Sequence, residues 1–285
     1  MSISNQSDLS IFFDESGKGN QPNQLMGGLA IPNNIYHSKD FKSVHKLNDQ
    51  HTFHWSSYDG DSKMRNGIIN LFELASPMAV YANLIFIKYS QTKLKEMAFK
   101  NTAKLESGQK KAIDDTNFLE ETIYTKIPER IMYGLLRFYG NIAGVTSTIY
   151  VERANEYIKL QLSEKLTSQL NMHSLYRGES FIVQDCIYRG KGEEIGVELT
   201  DLLLGIFRTV LENPERKGRG RTEKIKLILE LYKRGILQPF LVKLKLFEWD
   251  GSKELRDSNI DVYLNMFLAK NYNEYSSLNI LDNIN

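Results

Sequence analysis

Two kinds of apolar pattern alternate along the chain. In the first, nearly every position of a short run is apolar, as in "LSIFFD" at 9–14 and "QLMGGLAIP" at 24–32, with Gly, Asn and Pro between them. Such runs predict strands joined by a turn, here an antiparallel pair that opens the fold. In the second, apolar residues recur every three or four positions. "SKMRNGIINLFELA" carries Met64, Ile68, Leu71, Phe72 and Ala75 at helical spacing, and "MAVYANLIFIKY" at 78–89 then predicts a long third strand. From about 91 to 139 the period is helical in two pieces, and Pro128 is expected to kink or divide the second.

"VTSTIYVE" at 145–152 returns to β-branched and aromatic residues. After it come a helix over "ANEYIKLQLSEKLTSQLNM", a strand over "ESFIVQDCIY" and a strongly apolar helix over "EEIGVELTDLLLGIFRTVLE" with acids in its first turn. Three early strands followed by strand–helix–strand–helix predict an α/β fold, a mixed sheet flanked by helices with helical insertions. Residues 1–221 are expected to form this unit. Residues 222–285 are expected to form a C-terminal extension packed on it, with "FLVKLKLF" a candidate strand.

Two strands end in acids. A strand apolar at nearly every position is expected to be central and covered on both faces, so Asp14 emerges from a buried strand. A carboxylate there is costly unless it is hydrogen-bonded, paired or bound to a metal. One reading is a turn in which Asp14 and Ser16 satisfy the backbone near Gly17. Glu152 ends the 145–152 strand in the same way, next to Arg153. On the late helix, Asp201 has Val197, Glu198, Leu204 and Gly205 as neighbours at three and four residues, which embeds two acids in an apolar stripe. Gly205 would let the helix approach the sheet. Hard oxygen donors from Asp14, Glu152 and Asp201 suit Mg²⁺ or Mn²⁺, the ions of metal-assisted phosphodiester hydrolysis.

Four motifs together, "FFDESG", "FHWSS" at 53–57, "IYVE" and "GVELTDLLLG", resemble the domain-of-unknown-function 3800 family, bacterial and phage proteins with a ribonuclease H-like fold. The resemblance spans roughly residues 9–210. It implies a ribonuclease H-like mixed sheet and a metal-dependent nuclease in which Asp14, Glu152 and Asp201 hold the ion and Glu198 tunes the site. The late motif has Glu198 where the family usually has Gln and Thr200 where Ala is usual. Glu152 stands where an Asp is often expected, which keeps the ligand oxygen on a longer arm.

Further candidates are Glu15, on the other side of the strand from Asp14, and Asp185, near the end of the 179–188 strand. His54 is a candidate substrate contact, and the pair His51/His54 lacks the helical Glu of a zinc motif. Trp55 is expected in the core rather than stacking a base. The dense basic stretch "ERKGRGRTEK" offers Arg216, Lys217, Arg219 and Arg221 as phosphate contacts on a loop.

Charge and cysteine content narrow the picture. With 36 Lys+Arg against 35 Asp+Glu the net charge is +1, so any basic surface must be local. The one cysteine, Cys186, excludes an intrachain disulfide and fits a small core residue in a reducing compartment. No apolar run approaches the roughly 18 residues of a membrane span, so a cytoplasmic protein is expected, with nucleic acid as partner and a homo-oligomer or protein partner as a further option. Two other classes compete with a nuclease. One is an inactive nucleic-acid-binding or adaptor protein on the same fold. The other is an actin-like ATPase, which normally needs a duplicated domain and a second Asp-x-Gly turn. A phosphate loop of the GxxxxGK[ST] type is absent.

Overall fold

The computed structural model describes residues 7–18, 21, 23–102, 116–252 and 254–278. Its centre is a seven-stranded mixed sheet. The strands are β1 (Ser7–Ser16), β2 (Gln24–Pro32), β3 (Asn83–Tyr89), β4 (Val145–Glu152), β5 (Phe181–Arg189), β6 (Leu244–Trp249) and β7 (Arg256–Ser258). Their order is β5-β4-β1-β2-β3-β6-β7. β2 runs antiparallel to both β1 and β3, whereas β4 pairs parallel with β1 and β5 parallel with β4.

β1 is interior and apolar on both faces, as its composition predicts. Phe12 belongs to a core on one side of the sheet, and Leu9, Ile11 and Phe13 belong to a second core on the other. All four are at most 1% exposed. Burial of side chains of this size stabilises by about 1.5–3 kcal/mol each. That is the anchorage against which a buried acid at the strand's end must be set.

The helices divide between the two faces. Short helices α1 (Asn33–Tyr36) and α2 (Lys42–Asn48) and the longer α3 (Ser62–Ala75) connect β2 to β3. After β3 come α4 (Gln91–Thr102), α5 (Thr116–Glu121) and α6 (Ile127–Gly140). A π-helical segment over Thr122–Lys126 separates the last two and ends just before Pro128, so the proline does divide this stretch. α7 (Asn155–Lys159) and α8 (Leu162–Arg177) join β4 to β5. α9 (Ile195–Glu212), α10 (Arg219–Lys233) and α11 (Gln238–Lys243) then lead to β6, and α12 (Ile260–Lys270) and α13 (Tyr272–Ser277) follow β7. α3, α9 and α10 pack on the Phe12 face, and α6 and α8 on the Phe13 face.

Several boundaries differ from the sequence expectation for local reasons. The third strand begins only at Asn83, because Ser76–Tyr81 forms a 3₁₀ turn with Pro77 at its start. The helix expected over 154–172 is two helices, broken where Gln161 takes a left-handed conformation at φ 52°. In "FLVKLKLF" only the second half is strand, since α11 runs to Lys243. β6 pairs with β3, so the segment after 222 completes the central sheet rather than only packing on it, and α10 begins before that boundary.

α9 is buried along almost its whole length. Gly205 lies beneath Trp55, not against the sheet: a Cβ there would meet the indole Cγ at 2.0 Å. Gly205→Ala is therefore expected to displace Trp55 and cost about 1–3 kcal/mol by overpacking, with thermal unfolding as the measurement. An unchanged midpoint would mean that the indole moves aside freely.

Candidate functional site: a carboxylate cluster in a basic-rimmed cleft

Strand parity puts the first two acids together. Phe12 and Tyr150 are register partners in β1 and β4, and their rings stack at 5.4 Å on the α9 face. Two residues further along each strand come Asp14 and Glu152, on that same face by the alternation of a pleated strand. α9 crosses this end of the sheet and brings in Asp201. The charges of Asp201 and Glu152 both act on Asp14, whose side chain also contacts Glu152.

Asp14 is 1% exposed. Its Oδ1 accepts from the Glu15 backbone N–H at 2.7 Å. Burial first, and then the charges of Asp201 and Glu152, hold its carboxyl well above the usual carboxylate range. The turn-type hydrogen bond expected of an isolated Asp-Glu-Ser-Gly is present, but it opposes only part of this cost.

Asp201 faces the same point and also grips the 53–57 segment. Its Oδ2 accepts from the Trp55 N–H at 2.6 Å and lies 3.1 Å from His54 Nδ1. On its other side, His54 Nε2 is 3.0 Å from Lys191 Nζ and 2.6 Å from Ser56 Oγ. An ammonium can only donate, so Nε2 is an acceptor and the ring proton sits on Nδ1, directed at Asp201. His54 is thus joined to the cluster, while His51 lies apart against Phe53. The two histidines share no site.

Glu198, one turn before Asp201 on α9, is engaged through both carboxylate oxygens. Its Oε2 accepts from the Phe53 N–H at 2.8 Å, and its Oε1 accepts from the Gly192 N–H. Both oxygens thereby tie two loops to α9. Burial pushes its carboxyl up to about 7, opposed by those two N–H groups. It holds the segments on either side of Asp201, whose charge also acts on it.

Glu15 points to the opposite face from Asp14, as alternation predicts, among Tyr89, Tyr124 and Tyr157. Lys18 Nζ lies 2.9 Å from its Oε1 and 3.8 Å from Glu156 Oε2. Burial raises the Glu15 carboxyl and Lys18 pulls it back. Asp185 is exposed and pairs in register with Thr148, short of the strand's end at Arg189, and it does not line the cleft. The register slip between Ser147 and Thr148 falls before it, so Asp185 still lies on the face opposite Cys186, as alternation predicts. Cys186 is half-buried against the Phe13-side core, with its thiol pushed up to about 12 by burial.

Glu152 and Asp201 line a cleft of about 1020 Å³, with Asp14 buried beside them. Lys18, Arg153, Lys191 and Arg208 line it, together with Lys217, Arg221 and Lys224. The basic stretch is not a free loop. α10 begins at Arg219, so Arg221 and Lys224 project from a helix. Arg216 turns away to Glu274 at 2.8 Å and Asn271 at 3.0 Å, and Arg219 is exposed and outside the cleft. Trp55 is 5% exposed and part of the core, so it offers no stacking surface.

Arg208 and Lys191 carried no motif signal, whereas Lys224 ends the basic stretch "ERKGRGRTEK". Arg208 lies two turns after Asp201 and so on the same helix face, a periodicity that could have flagged it. Its guanidinium bonds Glu212 and Gln21, both at 2.8 Å, and packs against Gly17. Gly17 has φ 88°, and a Cβ there would come within 2.9 Å of the Arg208 Cζ. Glycine in the Asp-Glu-Ser-Gly turn thus serves both backbone conformation and close contact.

Among the described residues, no group of three His, Cys, Asp or Glu side chains is arranged tightly enough to enclose a metal ion as the side chains stand. The chemistry of the donors still suits one, because three hard carboxylates that repel one another are relieved by a cation. Comparison of the chain with protein-family models and with curated proteins finds no match. The resemblance drawn above therefore stands on its four motifs.

The raised Asp14 carboxyl fixes a sign. The folded state binds this proton more tightly than the unfolded chain, so stability at this residue falls as pH rises above the unfolded value near 3.8. In chelator, Asp14→Asn is expected to raise the unfolding midpoint at pH 7, with a smaller gain at pH 4. Glu198→Gln should do the opposite and cost about 1–3 kcal/mol, because its amide NH₂ would face one of the two backbone donors. Thermal unfolding of both variants at the two pH values checks the pair.

Proposed function

We propose that this protein is a Mg²⁺- or Mn²⁺-dependent nuclease that hydrolyses phosphodiester bonds of DNA or RNA, on a ribonuclease H-like fold. The observation that carries the reading is the meeting of Asp14, Glu152 and Asp201, from two parallel strand ends and a crossing helix, beside a cleft rimmed by Lys and Arg. A sheet of three successive antiparallel strands, with two more added parallel to the first, is compatible with the architecture that the motif resemblance implies. Among the described residues no helix is long and apolar enough to cross a membrane.

In this reading Asp14, Glu152 and Asp201 hold the ion, which when bound would supply Lewis-acid stabilisation of charge on the phosphate oxygens. Around it, Glu198 fixes the 53–57 segment through the Phe53 N–H, and Asp201 holds His54 and Trp55 in place. Lys217 and Arg221 at the rim neutralise backbone phosphates on either side of the bond to be cut. A non-cleaving nucleic-acid-binding protein is the second reading. It is favoured by the engagement of one Asp201 oxygen and both Glu198 oxygens with backbone N–H groups.

The deciding experiment incubates labelled single- and double-stranded DNA and RNA with wild type and Asp14→Asn in Mn²⁺. Wild type is expected to cleave, and the variant to lose at least about 10²-fold in rate, the scale of removing one group that stabilises developing charge. Binding without cleavage by wild type would leave the scaffold reading. Separately, neutralising Lys217 and Arg221 is expected to flatten the log–log salt dependence of binding by about two phosphate contacts' worth. Neutralising Arg216, held by Glu274, should leave the slope nearly unchanged.

A further inference from the structure

His54 is the middle of a chain of three polar groups. Asp201 Oδ2 lies 3.1 Å from His54 Nδ1, and His54 Nε2 lies 2.6 Å from the Ser56 hydroxyl. With the ring proton on Nδ1 and directed at the carboxylate, Nε2 presents a lone pair to which the hydroxyl donates. Carboxylate, imidazole and hydroxyl, each within hydrogen-bond reach of the next, are the parts of an activated nucleophile. The base sits on the hydroxyl, and a third group orients the base.

Side chains two residues apart in a 3₁₀ turn meet readily, but more than proximity holds this pair. The other ring nitrogen reaches 147 residues along the chain to a buried acid on α9. The same Asp201 oxygen accepts the Trp55 N–H at 2.6 Å, so one carboxylate fixes both the ring and the turn that carries Ser56. Trp55, between the two residues, is packed on Gly205 in the core. Ser56 itself is exposed, and it lines the cleft together with His54 and Asp201.

The charges around the hydroxyl indicate what it would attack. Lys191 Nζ is 3.0 Å from His54 Nε2, the nitrogen that Ser56 also faces. Lys224 donates to the Ser56 carbonyl at 3.2 Å, with Asp59 and Asp201 near enough for their charges to act on it. Arg153, Lys217 and Arg221 line the same cleft. Its remaining acids are matched from within, Glu15 and Glu156 by Lys18 and Glu212 by Arg208. Nε2 has one lone pair, which Lys191 and Ser56 share. An anionic group beside them would draw the ammonium to its own oxygens and leave that lone pair to the hydroxyl.

We propose that Ser56 is a nucleophile toward phosphate esters, with His54 as its base and Asp201 holding the base in place. This activity needs no metal ion and does not rest on the nuclease reading. In the first half, the Ser56 Oγ–P bond forms and the P–O bond to the leaving alcohol breaks. The hydroxyl proton passes to His54 Nε2 and from there to the departing oxygen. In the second half water attacks the phosphoserine, gives its proton to Nε2, and Oγ leaves and takes that proton back. Lys191 and Lys224 offset the charge on the phosphate oxygens throughout.

The test is run on the full chain in EDTA, where metal-assisted cleavage is silent. Wild type is treated with an alkyl fluorophosphonate, the modified residue is located by peptide mass spectrometry, and hydrolysis of bis(p-nitrophenyl) phosphate is followed in parallel. The label is expected on Ser56, with nitrophenolate release that persists in EDTA. Ser56→Ala should abolish both. His54→Ala should slow labelling at least about 10²-fold, the scale of a lost general base, and added imidazole should restore part of the rate. Ser57→Ala, whose hydroxyl bonds the His54 carbonyl instead, should keep the label on Ser56. Thermal unfolding confirms that each variant is folded. A wild type that fails either to take the label on Ser56 or to release nitrophenolate in EDTA overturns the proposal and leaves the metal-dependent reading standing. Undiminished labelling in His54→Ala overturns it as well.

Discussion

The structure is organised around one electrostatic conflict, an aspartate almost wholly withdrawn from water with two other carboxylates beside it. Asp14 sits where three large apolar residues before it have fixed the strand between two cores. It cannot move to solvent without dragging Ile11, Phe12 and Phe13 out of register. Glu152 is carried to it by the parallel pairing of β4 with β1, and Asp201 by the packing of α9 across the same sheet face. Each is held by apolar burial elsewhere on its own element, so the repulsion among them is borne by the whole core. Natural proteins tolerate such conflict at functional sites, where the strain is offset by packing around it.

The surrounding loops are secured by the same helix. Within "GVELTDLLLG", Glu198 binds the backbone of Phe53 and Gly192, and Asp201 binds that of Trp55. The segment with His54 is therefore part of the α9 surface, although it is nearly 150 residues away in sequence. Three backbone donors satisfied by two buried acids explain why charged residues stand in an otherwise apolar helix: some of their charge is structural. The distinction matters for reading the motif, because adjacent acids on one helix face do different work.

The C-terminal region contributes to the cleft without touching the acids. Arg216 is bound by Glu274 of the last helix and by Asn271, which joins it to the helix before, and α10 packs in the same core as α9 and α12. That anchorage fixes the helix from which Arg221 and Lys224 reach the cleft. β6 extends the sheet beside β3, so the last quarter of the chain belongs to the scaffold that sets the rim's geometry.

The sequence by itself determined the strands 24–32 and 145–152 to the residue, the alternation that separates Asp14 from Glu15, the apolar helix carrying Asp201 and the α/β class, because each is a local pattern of two or 3.6 residues. The positions of Asp14 at a buried strand end and of Trp55 in the core were legible for the same reason. Only the tertiary structure decided what each charged group faces. Glu198 and Asp201 look alike in "ELTD", yet one is consumed by backbone donors and the other shares its carboxylate with the cluster. Five basic residues look alike in "ERKGRGRTEK", yet Arg216 turns to the C-terminal helices while Lys224 bends over Trp55 toward Asp201. Apolar periodicity is written in neighbours along the chain, but charge pairing depends on distance in space, and here the partners come from segments that meet only once the sheet has formed.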